Sequence, residues 1–100
     1  MIAMSRKVFD MRLLPGQRFG NYKLRTSTEI GFDVSERSVV VTLLQSGISE
    51  SGDNKKEALT NLKSFVSDIL DRDRDNPNQP LGRELARQMR ELNKIFIYVG

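Results

Sequence analysis

The last fifth of the chain carries four cations at helical spacing. They are Arg83, Arg87, Arg90 and Lys94. Steps of four, three and four residues place them on one face of a helix, where they could follow a phosphate backbone or an acidic groove of a protein. A solvated outer face is the alternative interpretation, because Glu84 and Glu91 can pair with Arg87 at helical spacing. No aromatic side chain is interleaved for base stacking, so the sequence favours the solvated face.

A smaller basic group lies in a predicted strand and consists of Arg18, Lys23 and Arg25. Lys23 and Arg25 alternate with apolar residues, so a half-exposed strand would direct both of them outward. Together with the four helix cations, Lys23 and Arg25 form the candidate anion-binding or partner-binding site. Cations on an edge strand also prevent unwanted strand pairing, and this protective role is an equally good interpretation.

Residues 71–76 repeat the opening spacing of a calcium-binding EF-hand loop, with carboxylates at positions one, three and five. Position twelve of such a loop would be Gly82, although calcium needs a bidentate glutamate there. Arg72 and Arg74 would also compete for the carboxylates. The sequence therefore favours a charged helix end over a metal site.

Three serines lie in a glycine-containing segment ahead of a predicted helix, whose N-terminus could hold an anion. They are Ser46, Ser49 and Ser51. The glycine-rich phosphate-binding pattern that accompanies such residues in nucleotide sites is absent from the sequence. We therefore expect no nucleotide cofactor at this segment.

Cysteine and histidine are both absent from the 100 residues. Their absence excludes a thiol nucleophile, an imidazole general base and the usual kinds of zinc site. Because no other catalytic constellation is visible, the sequence predicts a protein that is not an enzyme and that holds neither a cofactor nor a metal. The formal net charge of +3 mildly favours an anionic partner.

The composition predicts one soluble domain over residues 1–100, with 38% hydrophobic and 29% charged residues. No apolar run approaches the length of a membrane span, and the N-terminus lacks the apolar block of a signal peptide. We expect a cytoplasmic protein.

The elements that must position these groups are organised around a helix over residues 52–71. Its apolar side chains recur at intervals of three and four residues and form one stripe. They are Ala58, Leu59, Leu62, Phe65, Val66, Ile69 and Leu70. Asn54 can cap the helix, and Glu57 completes a capping box. A second helix over 81–94 has its own stripe, formed by Leu81, Leu85, Met89 and Leu92.

Five segments have the pattern of strands. They are residues 7–14, 19–26, 29–35, 38–44 and 95–99. The apolar run 38–44 predicts a central strand covered on both sides, and residues 45–53 form a loop or a short edge strand. The expected fold is α+β, an antiparallel sheet of four to five strands in the order β-β-β-β-α-α-β, with two helices packed on one face.

One motif extends from the strand at 38–44 into the first helix. The sequence GISESGDNKKEALTNL at residues 47–62 resembles the HicB-type antitoxin family, whose pattern is a strand, a glycine-containing turn, G-D-[TS]-x-x-E-A-x-x-N and an amphipathic helix. The matching residues are Gly52, Asp53, Glu57, Ala58 and Asn61. Asn54 replaces the usual threonine or serine, and the resemblance covers residues 29–70.

The chain also departs from the family pattern. The proline-rich turn that ends in cysteine is replaced here by residues 43–48, LLQSGI. The N-terminal strands and the arginine-rich second helix lie outside the usual core. The C-terminal DNA-binding domain of many members has no obvious counterpart.

The resemblance implies a β-β-β-α-β module that binds and masks a toxin ribonuclease, and that associates through its sheet, so that a homodimer is among the expected assemblies. The expected function is therefore inhibition of a protein partner by occlusion, without catalysis. Two alternatives stay open. One is a nucleic-acid-binding protein that uses the helix cations, and the other is a phage or host inhibitor of a nucleic-acid-processing complex.

Overall fold

Two helices and seven strands make up residues 7–100, the part of the chain that the computed structural model describes; side chains are described from residue 10. The elements are β1 (Lys7–Leu13), β2 (Arg18–Phe19), β3 (Tyr22–Leu24), β4 (Thr28–Val34), β5 (Val39–Leu43), β6 (Ile48–Gly52), α1 (Lys55–Asp75), α2 (Arg83–Ile95) and β7 (Phe96–Tyr98). The predicted α+β class, with an antiparallel sheet and two helices, is confirmed. The first six residues of the predicted domain lie outside the described part.

Four strands form the larger sheet, in the order β1-β4-β5-β6, and all of its pairs are antiparallel. The β-branched strand β5 lies between β4 and β6, as its apolar run predicted. Its two faces are not equally covered, however. Val39, Val41 and Leu43 are buried, whereas Val40 and Thr42 are only half-buried. The predicted cover on both faces is therefore incomplete on the face that carries Val40.

Helix α1 lies against β5 and β6 and buries one stripe of apolar side chains. The buried residues are Ala58, Leu62, Val66, Ile69 and Leu70. The predicted N-cap is present, because the Asn54 side chain accepts from the Glu57 amide at 2.8 Å. The capping box is a variant of the predicted one: the Glu57 side chain accepts from the amide of Asp53 at 2.8 Å and not from that of Asn54. The helix continues to Asp75, four residues beyond its predicted end.

The prediction of a single sheet was incomplete, because three short strands form a second antiparallel sheet in the order β2-β3-β7. A turn at Gly20 divides the predicted strand 19–26 into β2 and β3. Gly20 has φ +61°, and a Cβ there would overlap the Ser67 side chain on α1, so the turn needs glycine both for its backbone and for its contact. The predicted final strand pairs with β3 and does not join the larger sheet.

Residues 45–53 contain β6, so the edge-strand alternative is the correct one for this segment. Helix α2 packs against α1 and β7, and its buried side chains are Met89, Leu92 and Ile95. The aromatic rings of Phe19 and Phe96 meet with centroids 4.8 Å apart, which joins the second sheet to the common core. Within residues 7–100, neither helix has the length and apolarity needed to cross a bilayer.

Candidate functional site

The cation stripe of α2 is partly neutralised by its own helix. Arg87 donates to both carboxylate oxygens of Glu84, at 3.0 and 2.8 Å, and this hydrogen bonding lowers the pKa of the Glu84 carboxyl. Lys94 pairs with Glu91 at 2.9 Å. Arg83 and Arg90 are exposed and make no ion pair within residues 10–100. Two of the four predicted cations are therefore without an ion pair in this part of the chain.

Arg87 has a second role that the sequence did not indicate. Its guanidinium donates to the backbone carbonyl of Ser46 at 2.8 Å, and the Gln45 side chain donates to Glu91 at 2.9 Å. These two hydrogen bonds connect α2 to the turn between β5 and β6. Part of the predicted binding stripe thus holds the helix against the larger sheet.

The smaller basic group lies on the second sheet. Arg18 of β2 is opposite Lys23 of β3 in the strand register, and Lys23 and Arg25 are both exposed. Because β3 is the middle strand of its sheet, the interpretation that Lys23 protects a free edge is wrong. Arg25 donates its amide to the carbonyl of Ile95 at 2.8 Å, so the two predicted basic groups meet where α2 ends.

The candidate EF-hand segment is helical through Asp75, and its carboxylates contact protein groups. Asp71 accepts from the Tyr22 hydroxyl at 2.9 Å, and Asp73 accepts from the Asn93 amide at 3.3 Å. Within the described residues, no group of three or more acidic, cysteine or histidine side chains is arranged to hold a metal ion. An α-helical backbone cannot wrap its own carboxylates around one cation as a calcium loop does.

The three serines do not converge on an anion site either. Ser46 is fully buried in the turn between β5 and β6, where its hydroxyl donates to the Leu43 carbonyl and accepts from the Ile48 amide, each at 3.3 Å. Ser49 and Ser51 are exposed residues of β6. Ser46 therefore stabilises the turn that Arg87 also contacts.

Tyr22 of the second sheet is buried, and its hydroxyl donates to Asp71 on α1. Burial and the hydrogen bond to Asp71 raise the pKa of its phenol to about 12. The ring also meets Tyr98 edge-on at 5.5 Å, and the guanidinium of Arg74 lies 3.6 Å from the centre of the Tyr98 ring. This cluster joins the C-terminal end of α1 to the second sheet.

We expect the protein to lose stability between about pH 10 and pH 12 through Tyr22. The unfolded chain releases the phenolic proton near pH 10, whereas the folded chain keeps it to about pH 12. The stabilisation is thus complete below pH 10 and disappears above pH 12, a difference of about 2–3 kcal/mol. Urea unfolding at pH 8 to 12 should show this decline in the wild type. Tyr22→Phe should show a smaller decline, and an equal decline in both proteins would contradict the assignment.

A groove lies between α1 and α2 that was not predicted from the sequence. Phe65 and Leu85, both predicted as buried members of apolar stripes, are 41% and 38% exposed. With Ile69, Leu81 and Met89 they line an apolar cavity of about 150 Å³. Arg72, Asp73, Asn76 and Gln79 complete its lining. We call these nine residues the helix groove.

The residues that carry the HicB-type resemblance all build the junction between β6 and α1. A Cβ on Gly52 would lie 2.5 Å from the backbone nitrogen of Ala58, and Ala58 is fully buried. Asn61 donates to the Ser51 carbonyl at 2.8 Å, and Glu57 closes the capping box. The motif is therefore explained by local packing, and it indicates a way of starting a helix more directly than it indicates a partner.

The functional evidence consists of this geometry and of the motif. Comparison of the chain with protein-family models, with curated proteins and with solved structures finds no match in any of the three.

Proposed function

We propose that this protein is a non-catalytic binding module that inhibits a protein partner by occlusion, and that the helix groove is its contact site. The observation that carries the proposal is the exposure of two large apolar side chains, Phe65 and Leu85, around a preformed cavity. Contiguous exposed apolar surface bounded by polar residues is typical of sites that bind proteins.

The size of the cavity limits what can enter it. A volume of about 150 Å³ is that of a cavity able to hold one benzene-sized group. We therefore expect the partner to insert a single aromatic or large aliphatic side chain between Phe65 and Leu85. Such an anchor in a desolvated pocket commonly supplies most of the binding free energy of an interface.

The polar residues of the groove can give the contact its orientation. Arg72, Asn76 and Gln79 are exposed, and Arg72 makes no ion pair within residues 10–100. A guanidinium and two side-chain amides can hydrogen bond to carbonyl or carboxylate groups that flank the inserted side chain. An apolar floor with a polar rim of this kind is the usual anatomy of a protein–protein contact.

The HicB-type resemblance supports the same class of function and suggests a more specific one. The strand, the glycine junction and the capped helix that carry the motif are all present. On this resemblance the partner would be a toxin ribonuclease in the cytoplasm, and a complex of nucleic-acid-processing proteins is the alternative target. Both belong to the same proposal, because each partner would be inhibited by being covered.

The alternative in which the α2 stripe alone binds nucleic acid is less well supported. Arg87 and Lys94 are each paired with a glutamate of the same helix, and Arg87 also holds the Ser46 carbonyl. The two remaining cations, Arg83 and Arg90, are too few for a stable phosphate contact by themselves.

The experiment that tests the proposal is a capture from host lysate with wild-type protein and with the double variant F65Q/L85Q. We expect one protein to be retained after nuclease treatment by the wild type and lost by the variant. The matched control is L14Q/L44Q, which replaces two exposed leucines that do not line the groove and should retain the partner. Equal capture by all three proteins, or a partner that disappears with nuclease, would contradict the proposal.

A further inference from the structure

The charged residues of this molecule are unevenly distributed along the chain. Residues 18–25 and 83–98, which contain β2, β3, α2 and β7, hold seven of the 16 cations but only two of the 13 carboxylates. Their formal net charge is +5, whereas the other residues together carry −2, which gives +3 for the whole chain. A modest total charge therefore conceals one strongly basic region.

The cations of this region are on neighbouring elements. The amide of Arg25 donates to the carbonyl of Ile95, so Arg25 is next to the residue that follows Lys94. Lys23 is opposite Ile97 in the pairing of β3 with β7, and residues paired in this way point to the same face of a sheet. The C-terminal end of the α2 stripe therefore lies beside the second sheet, whose exposed face carries Lys23. We call Lys23, Arg25, Arg83, Arg90 and Lys94 the basic face.

Most of this charge is uncompensated. Within residues 10–100, only Lys94 of the basic face is in an ion pair, and its partner Glu91 also accepts from Gln45. From Arg83 to Lys94 the α2 cations extend over about 16 Å, at 1.5 Å per residue. Lys23 in β3 and Arg25, the residue after β3, add a step of about 7 Å. Along α2 these cations are about 10 Å and about 6 Å apart, and such an extended row can contact successive phosphates of a linear polyanion.

An exposed apolar side chain lies beside Lys23. Ile97 is 48% exposed and is on the same sheet face as Lys23. An unstacked base offers an apolar surface to such a side chain, whereas the bases of a duplex are covered by their neighbours. We propose that the basic face binds a single strand of nucleic acid, with phosphates on the cations and a base against Ile97. The cations of α2 lie on the helix face opposite the groove, so this site is independent of the proposed protein contact.

The test measures binding of a fluorescent 20-nucleotide single strand by anisotropy between 50 and 200 mM salt. Five phosphate contacts predict a slope of log K against log salt of about −3.5. The variants R83Q/R90Q and K23Q/R25Q should each reduce the magnitude of that slope by about 1.4, and should weaken binding about 20-fold at 0.1 M salt. The control R37Q/K56Q removes two exposed cations outside the basic face and should leave the slope unchanged.

Several outcomes would overturn the inference. They are undetectable binding at 50 mM salt, an unchanged slope in K23Q/R25Q, tighter binding of a duplex of the same sequence, and equally tight binding of polyglutamate, which would indicate an acidic protein partner. The groove variant F65Q/L85Q should bind the strand normally. If the wild type binds the strand but captures no protein, only the proposed function fails. If it captures the protein but does not bind the strand, only this inference fails.

Discussion

The double variant F65Q/L85Q is expected to lose about 100- to 1,000-fold in affinity for the protein partner. Each side chain lines the cavity that would receive the partner's anchor, and loss of a contact at the centre of an interface commonly costs about 2 kcal/mol or more. Two such losses correspond to a factor near the upper end of that range. Isothermal titration of the captured partner with wild type and variant gives the ratio directly.

The same substitutions should have a smaller effect on folding. Phe65 and Leu85 are already about two-fifths exposed, so replacement of each by glutamine removes only part of a buried surface, at about 1 kcal/mol. Glutamine is also a good helix former, which keeps α1 and α2 intact. Urea unfolding of both proteins separates loss of binding from loss of structure. An affinity within threefold of the wild type would exclude the groove as the contact.

Gly52→Ala is expected to destabilise the protein by about 3 kcal/mol. The added Cβ would lie 2.5 Å from the backbone nitrogen of Ala58 and 2.9 Å from the carbonyl carbon of Glu57. Both atoms belong to the first turn of α1, which the capping box holds in place, so neither can move away without breaking hydrogen bonds. Overpacking against fixed backbone has a cost of this order.

Gly82→Ala is the matched control for that substitution. Gly82 also precedes a helix, but a Cβ there would have no neighbour within 4 Å. We expect its free energy of unfolding to change by less than about 1 kcal/mol. Urea unfolding followed by circular dichroism measures both variants. Similar values for the two would mean that the contact between β6 and α1 is not as close as the structure describes.

Local features of the fold could be predicted from the sequence because their causes are local. Asn54 and Glu57 are three residues apart, and that spacing alone predicts the Asn54 cap and the return contact of Glu57, although this contact is made to the Asp53 amide. The apolar run of β5 likewise indicated an internal strand. Each of these depends on residues within about one turn or one strand of each other.

Features that depend on distant residues were not predictable in the same way. The periodicity of α1 placed Phe65 in the buried stripe, yet Phe65 is 41% exposed. How much of it is covered depends on where α2 lies after the connector 76–82, which contains two prolines. The second sheet needs a turn at Gly20 and a partner strand at Phe96. The second sheet brings Arg25 to the end of α2, so the sequence could not predict that the two basic groups lie near each other.

The pairing of β3 with β7 has a consequence for the order of folding. Tyr22 is opposite Tyr98, so the smaller of the two described sheets is closed by residues very far apart in the sequence. The entropy of closing such a long loop must be overcome before these few hydrogen bonds can form, whereas the hairpins of β4, β5 and β6 close locally. During synthesis β3 can pair with β2 early, but its other edge has no partner until α2 and β7 have left the ribosome. The surface of Lys23 and Arg25 is therefore completed last, on a larger sheet and first helix that are able to form earlier.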